Sequence, residues 1–299
     1  AVGLGGAVSD HLDVSAHFAP IQLWFALIGA GLMLLTPPSR VRTATKWLAA
    51  IGAPLALLLI VPDLIRPETR APAGATPDFT LIQYNILGGR NRALEASLDW
   101  VFAQGADVIV LEEATPRVRA GIARRTGYHL SCERTFRCQS LILTKAAPIS
   151  SGLPPVTVGA RVPAARATIR APGGPITIVG AHYYWPIPAG LQQEQGRRLA
   201  AIVSAYPKSR LIVSGDFNST PWSFTRRRED AAFGLERRTK SLFSWPTFMT
   251  SRRLEIPAPF LPIDHVYAGP GFRTVSVERG PRLGSDHYPV IVRLAFARP

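Results

Sequence analysis

The sequence predicts an α/β domain, one large mixed sheet or two packed sheets with outer helices, standing behind a helical hairpin that crosses a membrane. Three observations carry this reading. Two apolar stretches fill most of the first 65 residues, a Pro-, Ala- and Gly-rich segment follows, and from Phe79 onward short apolar runs alternate with turn signals and two helical patterns. The expected organisation is an anchor at 1–65, a linker at 66–77 and the α/β domain at 78–299.

The apolar stretches are HFAPIQLWFALIGAGLMLL (His17 to Leu35) and WLAAIGAPLALLLIVPDLI (Trp47 to Ile65), which place membrane helices at about 18–35 and 47–65. Each approaches the ~20 residues needed to cross a bilayer, and neither carries a charge before Asp63. The alternative is a pair of buried helices in a soluble protein, but nothing polar is left over for a solvated face. Pro54 is expected to kink the second helix, which a membrane tolerates better than water. Arg40, Arg42 and Lys46 all lie in the connecting TPPSRVRTATK, whereas both flanks carry Asp. The positive-inside bias then makes that loop cytoplasmic and puts residues 66–299 on the periplasmic side of a bacterial-type inner membrane. The chain begins at Ala1 rather than Met, which leaves room for an earlier segment such as another membrane helix or a signal sequence.

RPETRAPAGATPD (Arg66 to Asp78) has no hydrophobic periodicity and reads as an extended linker. The three cations and three anions of residues 1–65 cancel, so the whole net charge of +14 falls on residues 66–299. Clusters stand at Arg124 and Arg125, at Arg226 to Arg228, and at Arg237, Arg238 and Lys240. The last two follow GDFNSTPWS and are expected to border the cleft. Such charge attracts nucleic acid without sequence preference, and equally anionic lipid headgroups beside a membrane. Scattered surface Arg would need no ligand at all. Cys132 and Cys138 lie between the probable strands YHL and SLILT, where a hairpin brings them within disulfide reach; two free thiols are the alternative. No second Cys pair or nearby His completes a zinc ligand set.

FTLIQYNI, ADVIVLEEA, SLILTK, ARATIRA, PITIVGAHYY, RLIVSGDFN, DHVYAG, TVSVERG and YPVIVRLAFA read as strands, and ALEASLDWVFAQ and GLQQEQGRRLAAIVSAY as helices. The useful observation is where the polar residues fall. Strand ends deliver Asn85, Glu112 and Glu113, His182, and Asp216 with Asn218; Asp264 and His265 sit in PIDHV, and Asp286 and His287 open the last strand. Singly, each has a bland reading, such as Asp216 capping a strand in an Asx turn. Together they fit one rim, because packed sheets can bring all their strand ends to a single edge.

QYN, LEE, AHYYWP, GDFN, IDHV and GSDHYPV occur in this order, and this set resembles the endonuclease/exonuclease/phosphatase superfamily, which is deoxyribonuclease I-like. The resemblance covers about residues 78–299 and implies a four-layer α/β/β/α sandwich with its site at one edge of the two sheets. It implies that Asn85 and Glu113 hold a divalent cation, Mg²⁺ or else Mn²⁺, with Asp286 close by. Asp216 would orient or deprotonate the attacking water, Asn218 contact the phosphate, His287 braced by Asp264 stabilise the pentavalent transition state, and His182 protonate the leaving oxygen. Some abasic-site enzymes of the family carry an acid two positions after the asparagine. Here that position is Leu87, which favours one metal over two.

The chemistry fits these roles by itself. Phosphate-ester hydrolysis needs a positioned water, an acid for the leaving group and neutralisation of the equatorial oxygens. A carboxylate with an amide oxygen suits Mg²⁺, and a His held by Asp is stabilised as the imidazolium. The expected activity is a membrane-anchored, metal-dependent phosphodiesterase, nuclease-like first, with a phospholipid- or sphingomyelin-type diester or a small phosphoester as alternatives. An inactive, membrane-tethered binding module is the alternative of another class. The partners are a phosphodiester substrate and the bilayer, and no protein partner is predicted.

Overall fold

Strands that are apolar on both faces need cover on both sides, and the Val- and Ile-rich runs around Leu81, Val110, Ile178 and Val213 receive it from each other and from helices. The computed structural model describes residues 2–132, 138, 140–154, 164–249 and 254–297. Its strands are β1 (Phe79–Asn85), β2 (Val108–Glu112), β3 (His129–Leu130), β4 (Leu141–Thr144), β5 (Pro148–Gly152), β6 (Ala164–Ile169), β7 (Ile176–His182), β8 (Leu211–Asp216), β9 (Glu236–Arg237), β10 (Phe248–Met249), β11 (Leu254–Glu255), β12 (Asp264–Ala268), β13 (Phe272–Arg279) and β14 (Val290–Phe296). The α-helices are α1 (Asp10–Asp13), α2 (Ala19–Leu34), α3 (Arg40–Leu64), α4 (Leu94–Ala103), α5 (Pro116–Ala123), α6 (Ala189–Ser204) and α7 (Phe224–Phe233). Two six-stranded sheets run β13-β14-β1-β2-β4-β3 and β5-β6-β7-β8-β12-β9.

Period-2 alternation assigns the layers. Ile178, Ile212 and Val266 of the second sheet share a core with Leu81, Val110 and Ile142 of the first. One residue along, Val179, Val213 and Tyr267 pack instead with Leu199 and Val203 of α6 and Phe233 of α7. Leu98 and Val101 of α4 and Val118 of α5 join the first sheet. The result is the four-layer α/β/β/α sandwich. β1 is parallel to β2 and β7 to β8, so Asn85 and Glu112 end side by side in one sheet, and His182 and Asp216 in the other.

The sequence missed α5, α7, β5 and the short β9, β10 and β11. Helix α7 escaped because FTRRREDAAF shows no apolar stripe: two of the charged side chains that would mark a solvated face, Arg226 and Glu229, are buried. The connecting loop is also shorter than expected, since α3 starts at Arg40 and its first turns carry Arg40, Arg42 and Lys46. Nor is the segment after Arg66 free: Arg70 bridges to Thr274 of β13, whose amide donates to the Thr69 carbonyl over 2.9 Å.

Two helical stretches, Asp10–Met33 and Arg40–Leu64, are long and apolar enough to cross a membrane. Helices α2 and α3 pack on each other, yet Trp24, Phe25, Ile28, Trp47, Leu48 and Leu58 stay exposed. Their other ends reach the sandwich, where Ala16, Ala19, Leu59 and Ile60 form a small core with Trp222.

Cys132 and Cys138 are joined in a disulfide. So short a loop contributes about 2 kcal/mol on the chain-entropy argument. Alkylation of the denatured, unreduced protein should therefore label neither thiol. Labelling of both would show that the bond does not form.

Candidate active site

The inward parity of the two sheets brings five polar side chains to one end of the layer between them. Gln83 and Asn85 alternate with apolar residues on β1, Glu112 lies opposite Asn85 on β2, and Asp216 and Asp264 are cross-strand partners on β8 and β12. The Asn85 amide crosses between the sheets, donating to Asp216 Oδ2 over 2.9 Å and to Glu113 Oε1 over 3.3 Å, while its oxygen accepts from the Leu87 amide. Gln83 makes a second bridge, giving its amide to Asp264 Oδ1 at 2.7 Å and to Glu112 Oε2 at 2.9 Å.

Asp216 is the centre of the arrangement. Its Oδ1 accepts from the Asn218 amide at 2.8 Å, and both His182 Nε2 and His287 Nε2 face its Oδ2, at 3.7 and 3.6 Å. These two contacts are too long for hydrogen bonds and are read as charge proximity. His287 is fixed from behind by Asp264, Nδ1 to Oδ2 at 2.9 Å, and its backbone amide donates to Ser285 Oγ. Asn218 gives one amide hydrogen to the Tyr183 carbonyl at 2.8 Å, and the other has no acceptor among the described residues. Asp286 has Oδ2 bound by Trp245 Nε1 at 3.1 Å, and its Oδ1 is buried with no partner among the described residues.

The local backbone explains why these residue types stand here. A Cβ at Gly215 would lie 1.8 Å from the Ala181 carbonyl oxygen, so the close approach of β8 to β7 beside Asp216 requires glycine. Gly88 (φ +30) is confined likewise, with a Cβ there 2.4 Å from the Glu113 carbonyl oxygen. Leu87, Glu113 and Asn218 hold left-handed backbone at φ 55, 54 and 46. Strain of this kind, about 1–3 kcal/mol each, persists where the surroundings over-determine a conformation.

Burial without full compensation sets the electrostatics. It raises Asp216 to about 6: desolvation comes first, the pull of His287 counters it, and the nearby Asp264 carboxylate adds to it. His287 moves the other way from what burial alone dictates, because Asp264 and then Asp216 outweigh desolvation and hold it well above the ordinary imidazole range. Glu112 is pushed well above the carboxylate range by burial and by the charges of Asp264 and Asp216, and its Oε2 accepts from Gln83. The site thus holds a carboxylate that titrates near neutrality and an imidazolium, aimed at each other.

The structure brings Asn85, Glu113, His182, Asp216, Asn218, Asp264 and His287 into one hydrogen-bonded or charge-paired group, with Asp286 beside His287 in the chain. Sequence reading missed Gln83, Trp245 and Gln192. Gln83 had a signal, since it shares the parity of Asn85 on β1. Gln192 Nε2 donates to the carbonyls of Tyr184, Phe217 and Asn218, and Trp245 carries an edge-on contact with Trp185 at 5.5 Å; neither had a local signal. A separate groove of about 550 Å³, lined by Ala7, Val8, Arg197 and Arg228 among others, includes none of the site residues.

The basic clusters are not where the charge pattern put them. Arg226, Arg237 and Arg238 are buried, in ion pairs with Glu229 and Asp230, with Asp63 and Asp230, and with Glu236 respectively. Arg228 pairs with Asp10, and Arg124 and Arg125 with Glu95 and Asp99. Their carboxylate partners hold them in structure rather than leaving them along a cleft.

The model of the endonuclease/exonuclease/phosphatase family matches residues 82–287, from within β1 to His287 itself. The chain belongs to this family. Solved structures of endonuclease/exonuclease/phosphatase-like fold agree. Sphingomyelinase C from Streptomyces griseocarneus is 18% identical, covering 73% of this chain and 99% of its own, with a TM-score of 0.52. D. rerio TDP2 complexed with a single-strand DNA product is 16% identical over 73% of this chain and 98% of its own, at 0.56. Bacteroides thetaiotaomicron mannosyl-6-phosphatase is 15% identical over 73% and 100%, at 0.55. Such low identities establish the shared fold alone. No curated protein sequence matches the chain.

Proposed function

We propose that this family member is a membrane-anchored, divalent-metal-dependent phosphodiesterase in which Asp216 activates water and His182 and His287 flank the phosphate. One observation carries the reading: a single buried carboxylate oxygen, Asp216 Oδ2, is aimed by Asn85 and faced by two imidazole Nε2 atoms within 3.7 Å. A water between them can lose its proton to Asp216 while one protonated imidazole donates to a phosphoryl oxygen and the other, also protonated, gives its proton to the leaving oxygen. Asp264 keeps His287 in the tautomer that presents Nε2 and stabilises its charge. Asn218 has one amide hydrogen left for a non-bridging oxygen.

The residues fit a hard cation. Asp286 Oδ1 is a buried oxygen without a partner among the described residues, and carboxylates such as those of Glu113 and Asp286 are the oxygen donors that suit Mg²⁺. Asn85 gives its amide hydrogens to Glu113 and Asp216, which aims those carboxylates, while its oxygen accepts from the Leu87 amide and has a second lone pair to offer the cation. Bound there, the cation would neutralise charge on the phosphoryl oxygens. Asp216, Asp264 and His287 also present donor atoms within 4.8 Å of one another. Every oxygen of those two carboxylates already accepts a protein hydrogen bond, which makes that trio an acid–base network first.

The long uncharged stretches of the hairpin, with their exposed apolar side chains, support the anchor, and the cations at its turn support a domain outside the cytoplasm. For the substrate, a net charge of +14 favours nucleic acid. A lipid-type diester is the second reading, favoured by the exposed Tyr184, Trp185 and Ile187 that follow His182, a rim that would meet acyl chains or headgroups. The full chain in detergent, offered single-stranded DNA, duplex DNA, RNA and sphingomyelin with Mg²⁺, distinguishes these; cleavage of none of them, nor of a simple diester, would leave the inactive binding module.

A pH profile tests the base. Asp216 must be ionised to accept a proton and titrates at about 6, so kcat/KM should fall as pH drops through that value, and fall again at the higher pH where the histidine acids lose their protons. A profile flat through pH 6 contradicts the assignment.

A further inference from the structure

A plain membrane tether has no need to bury polar side chains against the domain it carries, yet this one buries three. Asp13, His17 and Asp63 flank the apolar helices and are all buried. Asp13 accepts from the amides of Phe224 at 2.8 Å and Thr225 at 2.7 Å, capping the free N–H groups that open α7. Asp63 pairs with Arg237 at 2.7 Å, with both side chains buried. His17 reaches furthest into the site. Its Nδ1 lies 3.1 Å from both the backbone nitrogen and the hydroxyl of Thr220, and its carbonyl accepts from Trp222 Nε1 at 3.0 Å. Trp222 in turn is sealed by Ala16, Ala19, Leu59 and Ile60.

Thr220 stands two residues after Asn218, on the turn that gives Asn218 its left-handed backbone. That turn has little regular structure of its own and is held by single contacts. Gln192 takes the Phe217 and Asn218 carbonyls, and His265 Nε2 takes the Ser219 carbonyl at 2.8 Å. The Thr220 amide is fully buried and would be left without an acceptor if His17 were removed. The membrane-side segment thus supplies what the catalytic loop lacks.

We propose that His17 is a positioning residue for the proposed site: the membrane-side segment completes the Asn218–Trp222 turn, and hydrolysis depends on its being docked. The inference rests on the reading of Asp216 and Asn218 given above. It makes residues 2–65 part of the enzyme rather than a detachable tether, and it requires assays on the full chain.

The test compares His17→Leu with His17→Asn in the full chain in detergent micelles, with bis-p-nitrophenyl phosphate and Mg²⁺. Asparagine carries an oxygen on Cγ where histidine carries Nδ1, so it retains the acceptor. His17→Leu should lower kcat about tenfold with a smaller change in KM, since a misplacement of about 1 Å can cost up to ~100-fold, and His17→Asn should recover most of it. Trp222→Phe keeps the ring but loses the donor to His17, and provides the same reading if the leucine variant does not fold. Wild-type kcat in folded His17→Leu or Trp222→Phe protein, with only the melting temperature lowered, overturns the positioning role. So does a loss that asparagine fails to rescue. Asp216→Asn serves as the reference in the same assay: full activity there would overturn the parent reading instead.

Discussion

Asp216→Asn should lower turnover of a simple phosphodiester by about 100-fold or more while leaving the melting temperature close to that of the wild type. The substitution keeps the size and one acceptor oxygen, so the Asn218 amide still finds a partner and the β8 end keeps its turn. What it removes is the proton acceptor and the charge that both His182 and His287 face. It also relieves a buried anion next to Asp264, which offsets the hydrogen bond that the Asn85 amide loses. His287→Ala should resemble it, and Asp264→Asn should be milder because it acts through His287. If Asp216 merely capped a strand, the pattern would invert: stability would fall, and turnover per folded molecule would hold.

The second large effect concerns stability. Arg226→Met should cost about 3–5 kcal/mol, the range for breaking a buried ion pair from one side. Arg226 is fully buried, its guanidinium 4.5 Å from the Phe217 ring centroid and 5.3 Å from that of Phe233, and it neutralises Glu229 and Asp230. Methionine fills the space and leaves Glu229, itself buried, uncompensated. Adding Glu229→Leu should recover part of the loss, since replacing both members of a buried pair by apolar residues is often near neutral. Denaturant unfolding of the single and double variants reads this directly. Equal stability of Arg226→Met and wild type would mean that the cation is solvated and that α7 is placed differently.

The polar strand ends were legible because strands announce themselves by apolar runs and the chemistry stands where those runs stop: Asn85, His182 and Asp216 each close a strand, whereas Asp286 and His287, expected to open the last strand, stand in the loop before β14, which starts only at Val290. The two apolar helices were legible because uncharged stretches of that length are rare in solvated helices. The fate of the arginines was not. Charge in a sequence carries no direction, and what turns Arg226 and Arg237 inward is the placement of Glu229, Asp230 and Asp63, the last of them far away in the chain. For the same reason Asp13 and His17 passed as mere neighbours of an apolar stretch, their partners Phe224 and Thr220 lying some two hundred residues on. Gln83 was hidden differently, inside a run whose apolar neighbours fixed the strand, and its role depends on the facing sheet.

The most direct measurement is the initial rate of p-nitrophenol release from bis-p-nitrophenyl phosphate by the full chain in detergent, with Mg²⁺ and with chelator, for wild type, Asp216→Asn and Glu113→Gln. The wild type should hydrolyse the diester in a way that chelation abolishes, Glu113→Gln should show a loss that high Mg²⁺ partly restores, and Asp216→Asn a loss that it does not. Hydrolysis that survives chelation, or an Asp216→Asn protein as fast as wild type, would contradict the proposed mechanism.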